Sequence, residues 1–152
     1  MNLLSPPYRI GVIADSHNQW PPRASELLAG VDEIWHLGDI CRESILDEVR
    51  AICPKIEVVL GNNDYDLHYP LSLTLERHGK RFHLIHILPR EIPGSIDFLC
   101  YGHTHRPDQT IKNGLQFFNP GSVGSPNKGA PASLGFLEYD STHGWNSRIV
   151  LV

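Results

Sequence analysis

The chain has 152 residues, with 13 Lys plus Arg against 17 Asp plus Glu and a net charge of −4. That length suits a single domain, 1–152, with a buried core of its own. The acidic balance argues against a broad nucleic-acid or membrane-binding surface, though not against a small phosphate-bearing substrate.

The elements alternate along the first half. RIGVIA (9–14) is a short apolar run rich in β-formers and predicts a buried strand. Residues 23–29 predict a short helix that ends at Gly30. EIWHL (33–37) predicts a second strand, and 43–52 places apolar residues at 45, 46, 49 and 52, a helical spacing stopped by Pro54. IEVVL (56–60) predicts a third strand. Strand, helix, strand, helix, strand implies parallel pairing with crossover helices.

The second half is strand-rich. Residues 71–76 and 81–87 predict a hairpin across His78-Gly79-Lys80, 95–101 a further strand, and 110–118 a hairpin around Asn113-Gly114. Residues 133–139 and 147–152 predict a closing pair. Two mixed sheets packed face to face, with helices outside, accommodate both halves. The alternating face of 110–118 either packs in the core or supports a homo-oligomer.

Three cysteines, Cys41, Cys53 and Cys100, lack CxxC spacing and read as reduced thiols of a cytoplasmic chain. No apolar run of 18 residues predicts a membrane span, and MNLLSPPYRI lacks the pattern of a signal peptide.

Polar residues able to bind metals follow the apolar runs, or close them. Asp15-Ser16-His17 follows the first strand, Gly38-Asp39 the second and Gly61-Asn62-Asn63-Asp64 the third. His86 closes a fourth, Gly102-His103-Thr104-His105 follows a fifth, and Asn119-Pro120-Gly121-Ser122 follows the 110–118 hairpin. Ligand sites in open α/β sheets lie outside the carboxyl ends of strands. Gly38, Gly61 and Gly102 suit sharp turns or close backbone approach there. Asp15, His17, Asp39, Asn62, His86, His103 and His105 are seven candidate ligands. A mononuclear site needs three or four. Seven suffice for two ions if one carboxylate bridges them, and carboxylate with imidazole suits zinc, manganese or iron.

This ordered set resembles the calcineurin-like metallophosphoesterases. The late Asn119–Ser122 motif and the small size resemble the compact phosphodiesterase branch of bacteria and archaea, a structural group that also holds the eukaryotic retromer scaffold subunit. The resemblance spans about Arg9 to Tyr139. It implies an α/β fold, a four-layer αββα sandwich of two mixed β-sheets flanked by helices. It also implies two divalent ions (manganese, zinc, iron or nickel), with Asp15, His17 and His105 on the first, Asn62, His86 and His103 on the second, and Asp39 bridging. The implied activity is hydrolysis of a small phosphate ester, more a phosphodiester than a monoester, by a hydroxide bridging the ions. The rival reading is a non-catalytic metal-binding scaffold with the same fold.

Departures from the family pattern bear on chemistry. Asn63 stands where many members carry a histidine that helps protonate the leaving group or stabilise charge, and an amide can donate a hydrogen bond but cannot transfer a proton. Asn63 and Asp39 are thus the candidate catalytic residues. Asn18 and Ile87 replace glycines. Only 16 residues, broken by Pro89, Pro93 and Gly94, separate His86 from His103, where members often carry a longer helical segment. His68 is either a stand-in proton donor or a solvated loop residue. Arg106 either touches substrate phosphate or lies on the surface beside Pro107. Asn18, Arg106 and His68 are the substrate-binding candidates. His36, inside the second strand, reads as a core or supporting residue rather than a ligand.

Overall fold

The computed structural model describes residues 6–124, 126 and 130–152. Its first sheet grows from three parallel strands, β1 (Tyr8–Ile13), β2 (Glu33–His36) and β3 (Ile56–Val58). Helices α1 (Pro22–Leu28) and α2 (Glu43–Ile52) make the two crossovers. β9 (Ser133–Asp140) runs antiparallel beside β1, and β10 (Gly144–Leu151) pairs outside it, giving the order β10-β9-β1-β2-β3.

The second sheet has the order β4-β5-β6-β8-β7. β4 (Ser72–Arg77) and β5 (Lys80–Ile85) form the expected hairpin. Its turn residues His78 and Gly79 both have positive φ, as do Asn113 and Gly114 between β7 (Ile111–Lys112) and β8 (Leu115–Phe118). Positive φ at both central residues matches the twist of the flanking strands. β6 (Phe98–Cys100) and β8 add in parallel. β6 is shorter than the 95–101 run suggested, because Ser95 sits at φ 60° and extended pairing begins only beyond it.

Side-chain alternation splits β1 between two cores. Ile10, Val12 and Ala14 join Trp35, Phe82, Phe98 and Phe118 between the sheets. Ile13 turns the other way and packs with Ile34, Leu28 of α1 and Val49 of α2. α2 buries Ile45, Leu46 and Val49, the face its spacing predicted.

The two mixed sheets are present, and both helices lie on the first. Among the described residues no helix covers the outer face of the second sheet. The irregular segment 87–96 takes that place, with Ile92, Pro93 and Ile96 lining a hollow shared with Leu115 and Phe117. Its two prolines and Gly94 explain why the outer helical layer of the αββα scheme does not form there. No helix among the described residues is long and apolar enough to cross a membrane.

Candidate metal centre

The parallel strands β1, β2, β5 and β6 all point their carboxyl ends at one edge, and the polar motifs turn there. Asp15, His17, Asp39, His103 and His105, five of the seven candidate ligands, have φ between 49° and 73°. Non-glycine residues enter this left-handed region at a cost, and such strain clusters at functional sites. Backbone bonds fix the loops against one another: the Asp15 N–H donates to Gly38 O (2.9 Å) and the His17 N–H to Asp39 O (2.9 Å). Gly61 allows this crowding, since a Cβ there would overlap the Asp39 amide nitrogen and carboxylate.

Two carboxylates lie at the middle. Asp15 Oδ1 is 3.7 Å from His86 Nε2 and 3.5 Å from His105 Nε2. Asp39 turns Oδ1 toward His86 Nε2 (3.5 Å) and Oδ2 toward His17 Nε2 (3.6 Å). The ligand-type atoms of Asp15, His17 and His105 cluster within 4.8 Å, as do those of Asp15, Asp39 and His86. Asp15, expected on one side only, belongs to both groups. Asn62 Oδ1 lies 3.2 Å from His103 Nδ1. The two histidines of the 102–105 motif part company: the His103 ring packs on His86 and the His105 ring on His17.

The cluster is under-satisfied. Asp15 Oδ1, His17 Nε2, His86 Nε2 and His105 Nδ1 are buried with no hydrogen-bond partner among the described residues. Leaving buried polar atoms unpaired is costly, so four in one place call for an occupant. The His86 ring contacts the Leu37 carbonyl through Nδ1 (2.7 Å). A neutral ring donating there presents a bare lone pair at Nε2, the arrangement typical of a metal-binding histidine. Carboxylates and imidazoles within 4.8 Å of each other fit borderline divalent ions.

Electrostatics follow from the crowding. Burial is the main force on Asp15, pushing its carboxyl up to about 7 against the opposing pull of His86. Burial also pushes Asp39 upward, but the His86 contact and both Asn63 donors outweigh it and hold Asp39 well below the usual carboxylate range. His86 is raised: desolvation opposes its charge, but the two aspartates win. Desolvation and neighbouring His17 lower His105.

The profile of the calcineurin-like phosphoesterase superfamily domain matches residues 8–142. The chain belongs to that superfamily. It is 32% identical over 109 residues to phosphodiesterase YfcE of Escherichia coli, a match covering 63% of this chain and 59% of YfcE. The aligned region therefore spans less than two thirds of that relative. Its fold matches the solved structure of an archaeal phosphodiesterase (TM-score 0.80, 20% identity, 95% of this chain and 99% of that one). It also matches vacuolar protein sorting 29 from Cryptosporidium parvum (TM-score 0.76, 21% identity, 97% and 98%). Superfamily members use divalent metals, and this chain presents candidate ligand groups for them.

Other residues support the cluster from behind. Asp64 accepts four backbone N–H bonds, from Asp39 and Gly61 at Oδ2 and from Ile40 and Cys41 at Oδ1, all between 2.7 and 2.9 Å. It clamps the loop after β2 to the loop after β3. His36 Nδ1 accepts the Gly38 N–H (3.1 Å), which leaves Nε2–H to donate to Ser16 Oγ (2.9 Å). Burial drives this imidazole down to about 3, so it stays neutral. Asn119 donates to Gly102 O and Thr104 Oγ1 (both 3.1 Å), and Ser122 donates to Asp15 O (2.8 Å). The Asn119–Ser122 motif thus braces two loops that carry candidate ligands.

Asn63 faces inward. Its N–H donates to Asp39 Oδ1 (2.9 Å) and its side-chain amide to Asp39 Oδ2 (2.8 Å). Asn18, His68 and Arg106 are exposed. The Arg106 N–H donates to Thr104 Oγ1 (3.1 Å), which curls the loop after His105.

Proposed function

We propose that the protein is a metal-dependent phosphoesterase that hydrolyses phosphodiesters in preference to monoesters. The observation that carries this reading is the set of four unpartnered buried ligand atoms at one strand-end edge, between two carboxylates. Two divalent ions (manganese, zinc, iron or nickel) held there would supply hydroxide at neutral pH and offset phosphoryl charge.

The residues divide the work. Asp15, His17 and His105 would hold one ion, and Asn62, His86 and His103 the other. Asp39 stands between them, its two oxygens turned to opposite sides. Asn63, bonded through both backbone and side chain, fixes the rotation of that carboxylate. With its amide committed to Asp39, Asn63 donates no proton to a leaving alcohol. Esters with acidic leaving groups are therefore the favoured substrates, and His68, exposed in the loop after β3, is the remaining candidate acid. Arg106 and Asn18, exposed and next in sequence to His105 and His17, would meet phosphate oxygens and the substrate's outer part.

The likeness to vacuolar protein sorting 29 favours a second reading, a metal-binding scaffold without turnover. Metal analysis of protein purified without chelators, paired with manganese-supported hydrolysis of bis(p-nitrophenyl) phosphate, separates the two. The phosphoesterase reading expects about two ions per chain and turnover. Two ions with no hydrolysis of diesters, monoesters or nucleotides would establish the scaffold, and one tight ion would establish a mononuclear site.

A further inference from the structure

One hollow opens directly off the metal cluster. Leu60, Leu71, Ile85 and Ile87 form its walls, while Asn62 and His86 close it on the side of the cluster. The walls come from loop and strand ends that the fold brings together: Ser72 pairs with Ile85 in the β4–β5 register, and the Leu60 N–H donates to Pro70 O (2.9 Å). Its volume is about 280 Å³. An apolar cavity of ~150 Å³ takes a benzene ring, so this one has room for a substituted ring or branched alkyl group.

Among the described residues the lining has no ionisable side chain other than the His86 imidazole, already turned to Asp39 and Asp15. Leu71 is 71% exposed and Ile87 46% exposed, unusual for large apolar residues beside a charged centre. Apolar groups so placed gain by covering, and a group attached to phosphorus at the cluster is within reach on the Asn62–His86 side.

We propose that this hollow is an ester-group subsite that selects phosphoryl ligands with an uncharged aromatic or branched alkyl substituent. The inference rests on the phosphoesterase reading for its ligand, though its walls are independent of turnover. It disfavours substituents rich in charge, such as polyphosphate chains, because nothing in the walls pairs with them.

The test compares two small probes, phenylphosphonate and methylphosphonate, by calorimetry on the manganese-loaded protein. Phenylphosphonate is expected to bind about 10- to 100-fold tighter. In Leu71→Asp and in Ile87→Ser that preference should fall to within about threefold. Manganese stoichiometry and the melting temperature show that each variant is folded. Equal affinities in the parent protein, or a preference that survives both substitutions, would overturn the subsite. Hydrolysis of bis(p-nitrophenyl) phosphate is measured alongside. Loss of that activity with the phosphonate preference intact would remove the reaction and keep the apolar subsite.

Discussion

Strand β2 lies between one buried acid, Glu33, and two others, Asp39 and Asp15, that are set in different surroundings. Glu33 at its start is fully buried and fully answered. It accepts bonds from Tyr8 Oη (2.5 Å), Trp35 Nε1 (2.7 Å), Arg77 Nε (2.9 Å) and Arg77 Nη2 (3.1 Å), with Lys55 Nζ at 3.6 Å. Past the other end of the strand, Asp39 and Asp15 face imidazoles at 3.5–3.7 Å, with Asp15 Oδ1 unbonded. A buried carboxylate that the chain satisfies by itself is there to hold the fold. One left short of partners in a dense cluster of other donors is there to hold something else.

That contrast can be broken by mutation. Asp39→Ala should cut phosphodiester hydrolysis by about a thousandfold or more, measured with manganese in excess, because it removes the carboxylate between both ligand groups. Undiminished turnover would end the two-ion reading. Glu33→Ala should do the reverse: leave manganese stoichiometry unchanged but cost about 3–5 kcal/mol in urea denaturation, since Arg77 loses its buried counter-ion.

The same acid sets a pH signature. Burial alone would raise the Glu33 carboxyl, but bonds from Arg77, Tyr8 and Trp35 hold it below its ordinary value of 4.5. Folding therefore favours the ionised form. The resulting stabilisation is present above about pH 4.5 and is lost as pH falls through the lower folded value. Glu33→Gln should flatten the stability profile below pH 4.5 in acid titrations followed by circular dichroism.

Asp64 lies between the extremes, satisfied by the backbone yet serving the metal edge. In Asp64→Asn an NH₂ group would face two N–H donors, so stability should drop by about 2–3 kcal/mol. Manganese affinity should also weaken about 10- to 100-fold, as is usual when the support behind ligands is removed. An unchanged manganese titration would show that the clamp does not govern the ligands.

Asp15→Asn gives the smallest and least intuitive shift. Burial raises the Asp15 carboxyl to about 7, so folding penalises its charge once the pH exceeds the unfolded value of about 3.8. At pH 8 without metal, the neutral amide should raise stability by about 1–3 kcal/mol, seen as a higher melting temperature in chelator. Metal binding should fall in the same variant.

Much of this architecture is legible in the residues. The alternation of strands and helices in the first half, both positive-φ hairpins and the order of the polar motifs all follow from period, turn chemistry and strand-end placement. Other features are not. Asp64 reads as one more turn residue of the 61–64 motif, because nothing in a sequence counts backbone donors from two other loops. Asn63 marks a missing proton donor, but only coordinates place its amide on Asp39. That no helix among the described residues covers the second sheet is signalled by Pro89, Pro93 and Gly94, which announce an interruption without saying what fills it.

The left-handed backbone at five candidate ligands would bear on which ion the site prefers. Each such residue carries a standing cost of ~1–2 kcal/mol, borne by the folded chain before any ion arrives. Loops already held this way have little left to reorganise, so a cation must accept the spacing it finds. Coordination geometry, rather than the general affinity order that puts copper first, then becomes the basis of choice among divalent ions. The clamp at Asp64 and the close approach of Gly61 to Asp39 would thereby take part in metal selection.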